Sequence, residues 1–211
     1  MIWVLLACQP ATTNYSGTAM SAYFPMDGSR IATFNNEDTE ITWQLEVAKQ
    51  LQTAQKDGRE VVTFDYANAE TGDLLGTVSW SSVKGDEVLV HAYSLGAGVS
   101  VTFDPPVMIT EIDDAMSPGD VVESESTDSD GTKWTFTTTF VESYPECPTT
   151  YSDDFTKCAH FTISAGDVDP AAAPLFVGDH VLVATLGPAF ITIPGWETEW
   201  ELTSFTFESS E

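Results

Sequence analysis

Basic residues are scarce in this chain: 7 Lys and Arg stand against 33 Asp and Glu, giving a formal net charge of −26 over 211 residues. Nucleic acid and anionic head groups are held by clusters of Lys and Arg, so this balance excludes nucleic acid as a partner and argues against electrostatic docking on anionic lipid. Long apolar runs are also lacking, and nothing after Cys8 approaches the roughly 18 to 20 residues that a spanning helix needs. Catalytic signatures are missing too, with neither a Gly-x-Ser-x-Gly elbow nor a His-Glu-x-x-His pair. Among 33 carboxylates, two acids lying close together would identify no glycosidase pair, because chance alone supplies such neighbours. Amphipathic helical periodicity is equally hard to find.

What the chain does have is alternation. Ile41, Trp43, Leu45 and Val47 fall on one face of a half-buried strand; so do Trp134, Phe136 and Phe140, and the pattern returns through Trp196, Trp200, Leu202, Phe205 and Phe207. Further strands are predicted at Val61 to Tyr66, Leu75 to Trp80, Val88 to Tyr93, Val99 to Phe103, His160 to Ser164, Val181 to Leu186 and Phe190 to Ile193. Turn chemistry separates them at Asp57-Gly58, Thr71-Gly72-Asp73, Lys84-Gly85-Asp86, Ser129-Asp130-Gly131 and Pro194-Gly195. The fold class is therefore all-β, an antiparallel meandering sheet forming a partly closed barrel or a sandwich. Residues Glu46 to Lys56 have the propensity for one short helix. Two prolines are expected to end the strand at Phe103-Asp104-Pro105-Pro106, while Glu123 to Ser129 and Ala171 to Pro174 read as exposed loops.

Metal chemistry finds thin support. Asp128 and Asp130 sit in Ser126-Thr127-Asp128-Ser129-Asp130-Gly131, which opens like an EF-hand loop, yet the twelfth position is Thr137 where a bidentate Glu belongs. The expectation is an ordinary hairpin turn and no bound metal. Cys147, Cys158, His160 and His180 offer the right atoms for zinc at a spacing that matches no zinc motif; His91 and His180 read as hydrogen-bonded structural histidines. No cofactor is expected. Six Trp, six Tyr and twelve Phe are enough to fill a β core, or to line an apolar concavity, and the filled core is the favoured reading.

The tetrapeptide Leu5-Leu6-Ala7-Cys8, behind Ile2, Trp3 and Val4, resembles a bacterial lipobox. The resemblance implies cleavage before Cys8 and lipidation of its thiol, so that residues 1–7 are a signal peptide whose basic leader lies upstream of the recorded start, and residues 8–20 a flexible tether. The other reading of these residues is a first strand with Cys8 buried. Residues 21–211 then form a single β-rich domain. With Cys8 assigned to lipid, Cys147 and Cys158 remain as an even pair in an exported chain, and a disulfide between them is expected. Gln9 after the cysteine implies sorting to the outer membrane.

The mature chain is similar to a class of bacterial envelope lipoproteins, through Tyr23-Phe24-Pro25-Met26-Asp27-Gly28, Leu186-Gly187-Pro188-Ala189-Phe190-Ile191 and Trp200-Glu201-Leu202-Thr203-Ser204-Phe205. Some such domains resemble the lipoprotein-carrier fold, a curved sheet around an apolar groove. The expected function is a non-enzymatic binding module, anchored to the envelope membrane by lipid, for an apolar ligand or an envelope protein. A structural surface-interaction lipoprotein without a pocket is the alternative, and a secreted hydrolase the third reading. The acidity itself is explained best by a saline habitat, where salt screens carboxylate repulsion.

Overall fold

The computed structural model describes residues 23–24, 29–36, 43–50, 54–56, 58–82, 87–96, 98–110, 117–144, 147, 157–166, 168–169, 172–184, 186–193 and 196–208. These hold thirteen strands: β1 Ser29–Asn36, β2 Leu45–Lys49, β3 Ala54–Lys56, β4 Arg59–Asn68, β5 Leu74–Ser82, β6 Val88–Leu95, β7 Val99–Thr110, β8 Val121–Asp128, β9 Lys133–Tyr144, β10 Cys158–Ser164, β11 Gly178–Val183, β12 Gly187–Ile193 and β13 Trp196–Glu208. Every pairing is antiparallel, and from β4 to β13 each strand pairs with the next in sequence. The ring closes because β1 pairs with β13 and with β2, while β2 pairs with β4. The result is a closed barrel of twelve strands, with β3 as an extra strand on β4.

Closure decides between the two expected architectures in favour of the barrel, and it removes the helix expected between Glu46 and Lys56. Leu45 and Val47 are buried, and β2 is hydrogen-bonded on both edges. Two ladders and inward packing outweigh the modest helix propensity of Ala48 and its neighbours. Seven of the pairings carry a register shift, the irregularity by which strands bend enough to close.

Three local expectations are corrected. The Glu123 to Ser129 tract is mostly strand β8: Val122, Ser124 and Ser126 point inward and are buried, while Glu123 and Glu125 point outward. Its period of two is intact, but serine takes the core positions. The prolines do not end β7, which runs on to Thr110. Pro105 and Pro106 lack N–H donors, and two pairings with β8 are made, at Phe103 and Asp104. The β8 serines compensate, with Ser126 Oγ donating to the Pro105 carbonyl at 2.6 Å and Met108 N donating to Ser124 Oγ at 2.9 Å. Of the Ala171 to Pro174 run, Ala172 is exposed, but Ala173 and Pro174 are buried and lead into buried Leu175 and Phe176.

Twelve strands enclose more space than their own inward side chains fill easily, since roughly eight already suffice for a packed interior. The chain fills the difference with itself. The β10–β11 connection turns into the barrel, placing Phe176 against Trp80, Tyr93, Phe103 and Phe136 of β5, β6, β7 and β9, at ring-centroid distances of 5.4 to 6.5 Å. Gly76 makes room for it: a Cβ there would lie 2.3 Å from Ser94 O and 2.6 Å from Leu175 Cδ1. At the other end, where β1 begins, Tyr23 and Phe24 pack on Phe161, and Phe24 also on Trp80. The interior is mostly apolar, with Ser81, His91, Ser124, Ser126 and Thr138 buried among its residues, while Thr63, Thr77, Glu123, Glu125, Thr162 and Asp179 lie on the outer side.

Candidate functional site

Among the described residues, two concavities lie one on each side of the wall formed by β10, β11 and β12. The inner one has a volume of about 80 Å³ and lies beneath Tyr23 and Phe24. Ala32, Val47, Ile163, Leu182 and Ile191 project into it by strand alternation, with Phe64, Tyr66, Trp80 and Phe205 completing its walls. Its polar side chains are few. Arg30, an inward residue of β1, donates from Nη1 to the Leu186 carbonyl at 3.3 Å. His180, inward on β11, lies 2.9 Å from the Phe176 carbonyl through Nε2 and so ties the plug to the wall. Burial pushes the His180 imidazole down to about 4 against the smaller upward pull of that carbonyl bond, so it is neutral at neutral pH. The same burial pushes the Tyr66 phenol up.

The outer concavity is an open groove of about 320 Å³ across β9 to β13. Strand register explains it: His160, Val181 and Phe190 form one cross-strand row, and Thr162 and Asp179 are paired in the next. Thr192 extends that second row, since Asp179 N donates to its Oγ1 at 2.7 Å, and Glu199 faces Thr192 on β13. Tyr144 forms the far wall. Asp179 Oδ1 accepts from Thr162 Oγ1 at 2.6 Å and lies 3.1 Å from His160 Nε2. Partial burial would raise the Asp179 carboxyl, but the bonds from Thr162 and His160 outweigh it and hold the group below the usual carboxylate range.

The residues singled out by sequence are scattered. Cys8 lies outside the described residues. Cys147 and Cys158 form the disulfide, with Cα atoms 5.4 Å apart, bridging the β9–β10 connection beside Tyr144. The bridge occupies both thiols, and His160 and His180 occupy opposite sides of the wall, so these four residues do not converge on zinc. Asp128 is a turn residue: Oδ1 accepts from the backbone of Asp130 and Thr132 at 2.9 and 2.8 Å, and Oδ2 from Trp134 Nε1 at 2.9 Å. Burial tends to raise its carboxyl, while these bonds lower it on balance. Among the described residues no three His, Cys, Asp or Glu side chains are grouped to hold a metal ion. His91 faces Ser81 Oγ at 2.8 Å, as a structural histidine does.

Neither concavity was foreseen as a set of residues. The inner one depends on which segments enter the barrel. The outer one is written in alternate residues of β10, β11 and β12, but pairing those rows needs the bulges after His160 and Val181. Compared with protein-family models, curated proteins and solved structures, the chain matches none of them.

Proposed function

We propose that the protein is a non-enzymatic binding module of the bacterial cell envelope, lipid-anchored through Cys8 at the outer membrane, that takes an apolar ligand at the Tyr23–Phe24 end of its barrel. One observation carries the reading: a predominantly apolar, partly open concavity of about 80 Å³ is lined by Tyr23, Phe24 and inward residues of the barrel. Concave, mostly apolar pockets with a few polar groups are the usual form of small-ligand sites, and an apolar cavity of roughly 150 Å³ takes benzene. About half that volume suits the end of an acyl chain or a single apolar side chain. A longer guest would have to displace Tyr23 and Phe24.

The plug supports a second reading. With Phe176 fully buried and the lumen filled by the chain's own residues, the same anchored barrel would serve as a structural surface-interaction lipoprotein that carries no ligand.

Intact mass of the protein taken from its native host in mild detergent, recorded under native and then denaturing conditions, separates these readings. The proposal expects loss of residues 1–7, lipid at Cys8 and an additional apolar mass retained only under native conditions. An unmodified Met1 terminus would overturn the anchor. Equal native and denatured masses, with no change in tryptophan fluorescence on titration with hexane or octane, would overturn the ligand and leave the interaction protein.

A further inference from the structure

The outer groove on β9 to β13 combines a half-buried apolar floor with a row of outward-facing hydrogen-bonding groups. Phe190 and Val181 are cross-strand neighbours on its floor, Tyr144 stands at its side, and all three are half-buried, each with part of its apolar surface in water. Beside this floor runs a row of polar groups. Asp179, exposed on β11, is held by Thr162 and His160 through Oδ1. Thr192 Oγ1 is fixed by Asp179 N, and Glu199 stands next in the row.

The chemistry narrows the ligand by elimination. A purely apolar ligand would cover Asp179 and Glu199 and lose their hydration without return. An anion would meet two carboxylates on a surface of net charge −26. A small inorganic cation would engage the carboxylates but leave the apolar floor of Phe190 and Val181 unused. A ligand that lays an apolar C–H face on Phe190 and Tyr144 and directs hydroxyls sideways meets every group at once, because hydroxyl donors to carboxylates make short, strong bonds and aromatic side chains offer broad apolar surface. The groove volume of about 320 Å³ lies at the lower end of the range for small-molecule sites.

We propose that this groove is a saccharide-binding site, taking a neutral sugar ring on Phe190 and Tyr144 with its hydroxyls on Asp179, Thr192 and Glu199. The site is separate from the inner cavity and does not depend on what that cavity holds.

The test is a two-dimensional amide NMR titration with the methyl glycosides of glucose, galactose, mannose and N-acetylglucosamine, with phenethylammonium as the cationic comparison. The proposal expects saturable shifts confined to the groove residues of β9 to β13 with at least one sugar. Phe190→Ala and Glu199→Gln, both on the solvent side of the wall, should each weaken that sugar tenfold or more, while Thr33→Ala on β1 changes nothing. Amide spectra of the variants without sugar establish that they are folded. Absence of shifts with every sugar, sugar shifts that persist in Phe190→Ala, or saturation by phenethylammonium alone would each overturn it.

Discussion

Strands β10, β11 and β12 present two surfaces made from interleaved residues, and the contrast between them explains much of the molecule. Facing inward are Ile163, His180, Leu182 and Ile191; facing outward are His160, Thr162, Asp179, Val181, Phe190 and Thr192. The inner histidine is desolvated, neutral and held by a backbone carbonyl, whereas the outer one sits on a carboxylate. Adjacent positions with the same imidazole thus have opposite tasks. Inside, the chain spends polar groups sparingly and uses them to fasten its own plug. Outside, it orders them in rows and leaves them open to water.

Truncating one phenylalanine on each side gives the largest expected contrast. Phe176 is completely buried, so Phe176→Ala should cost about 3–5 kcal/mol in urea unfolding. Phe190→Ala, at the half-buried outer position, should cost about 1 kcal/mol or less. Equal losses at the two sites would erase the distinction between core and groove.

The histidines provide a pH contrast of intermediate size. His180 has a folded value of about 4, below the roughly 6.5 of an unfolded histidine. The unfolded chain therefore binds a proton more readily between these values. Stability is fully retained above about pH 6.5 and falls as the pH drops toward 4, by roughly 3 kcal/mol if this group acts alone. His180→Gln, which can still donate to the Phe176 carbonyl, should flatten that part of the pH profile. A profile unchanged by His180→Gln would contradict a desolvated inner imidazole.

Gly76 gives a smaller effect than Phe176. Its missing Cβ makes room for Leu175 Cδ1 and Ser94 O, so Gly76→Ala should cost about 1–3 kcal/mol through overpacking. Pairing it with Leu175→Ala should recover part of the loss, because one of the two obstructions is then gone. Strict additivity in that double-mutant cycle would mean that Leu175 does not pack on Gly76.

The contrast also shows what could be read from the chain beforehand. In β5, β9 and β12, whose inward residues are mostly apolar, period-two alternation identified the strand, while β1, with inward Ala32 and Phe34 beside Arg30, went unmarked. Alternation also failed to flag β8, whose inward Ser124 and Ser126 resemble loop residues until the proline-interrupted β7 beside them is known to need hydroxyl partners. The half-turn of apolar residues Leu175–Phe176–Val177 carried no periodic signal, since its burial depends on the space left by twelve strands closing into a ring. The disulfide followed from counting cysteines. The groove could not be anticipated, because it depends on pairing across five strands and on bulges that shift register by single residues.

The central claim is that the barrel is filled by its own β10–β11 connection, and proton NMR with selectively labelled phenylalanine tests it most directly. Phe176 and Phe136 have ring centroids 5.4 Å apart, so the account predicts a strong nuclear Overhauser contact between their ring protons, along with contacts from Phe176 to Phe103 and Trp80. A Phe176 ring that shows none of these contacts and is accessible to a soluble paramagnetic quencher would contradict it.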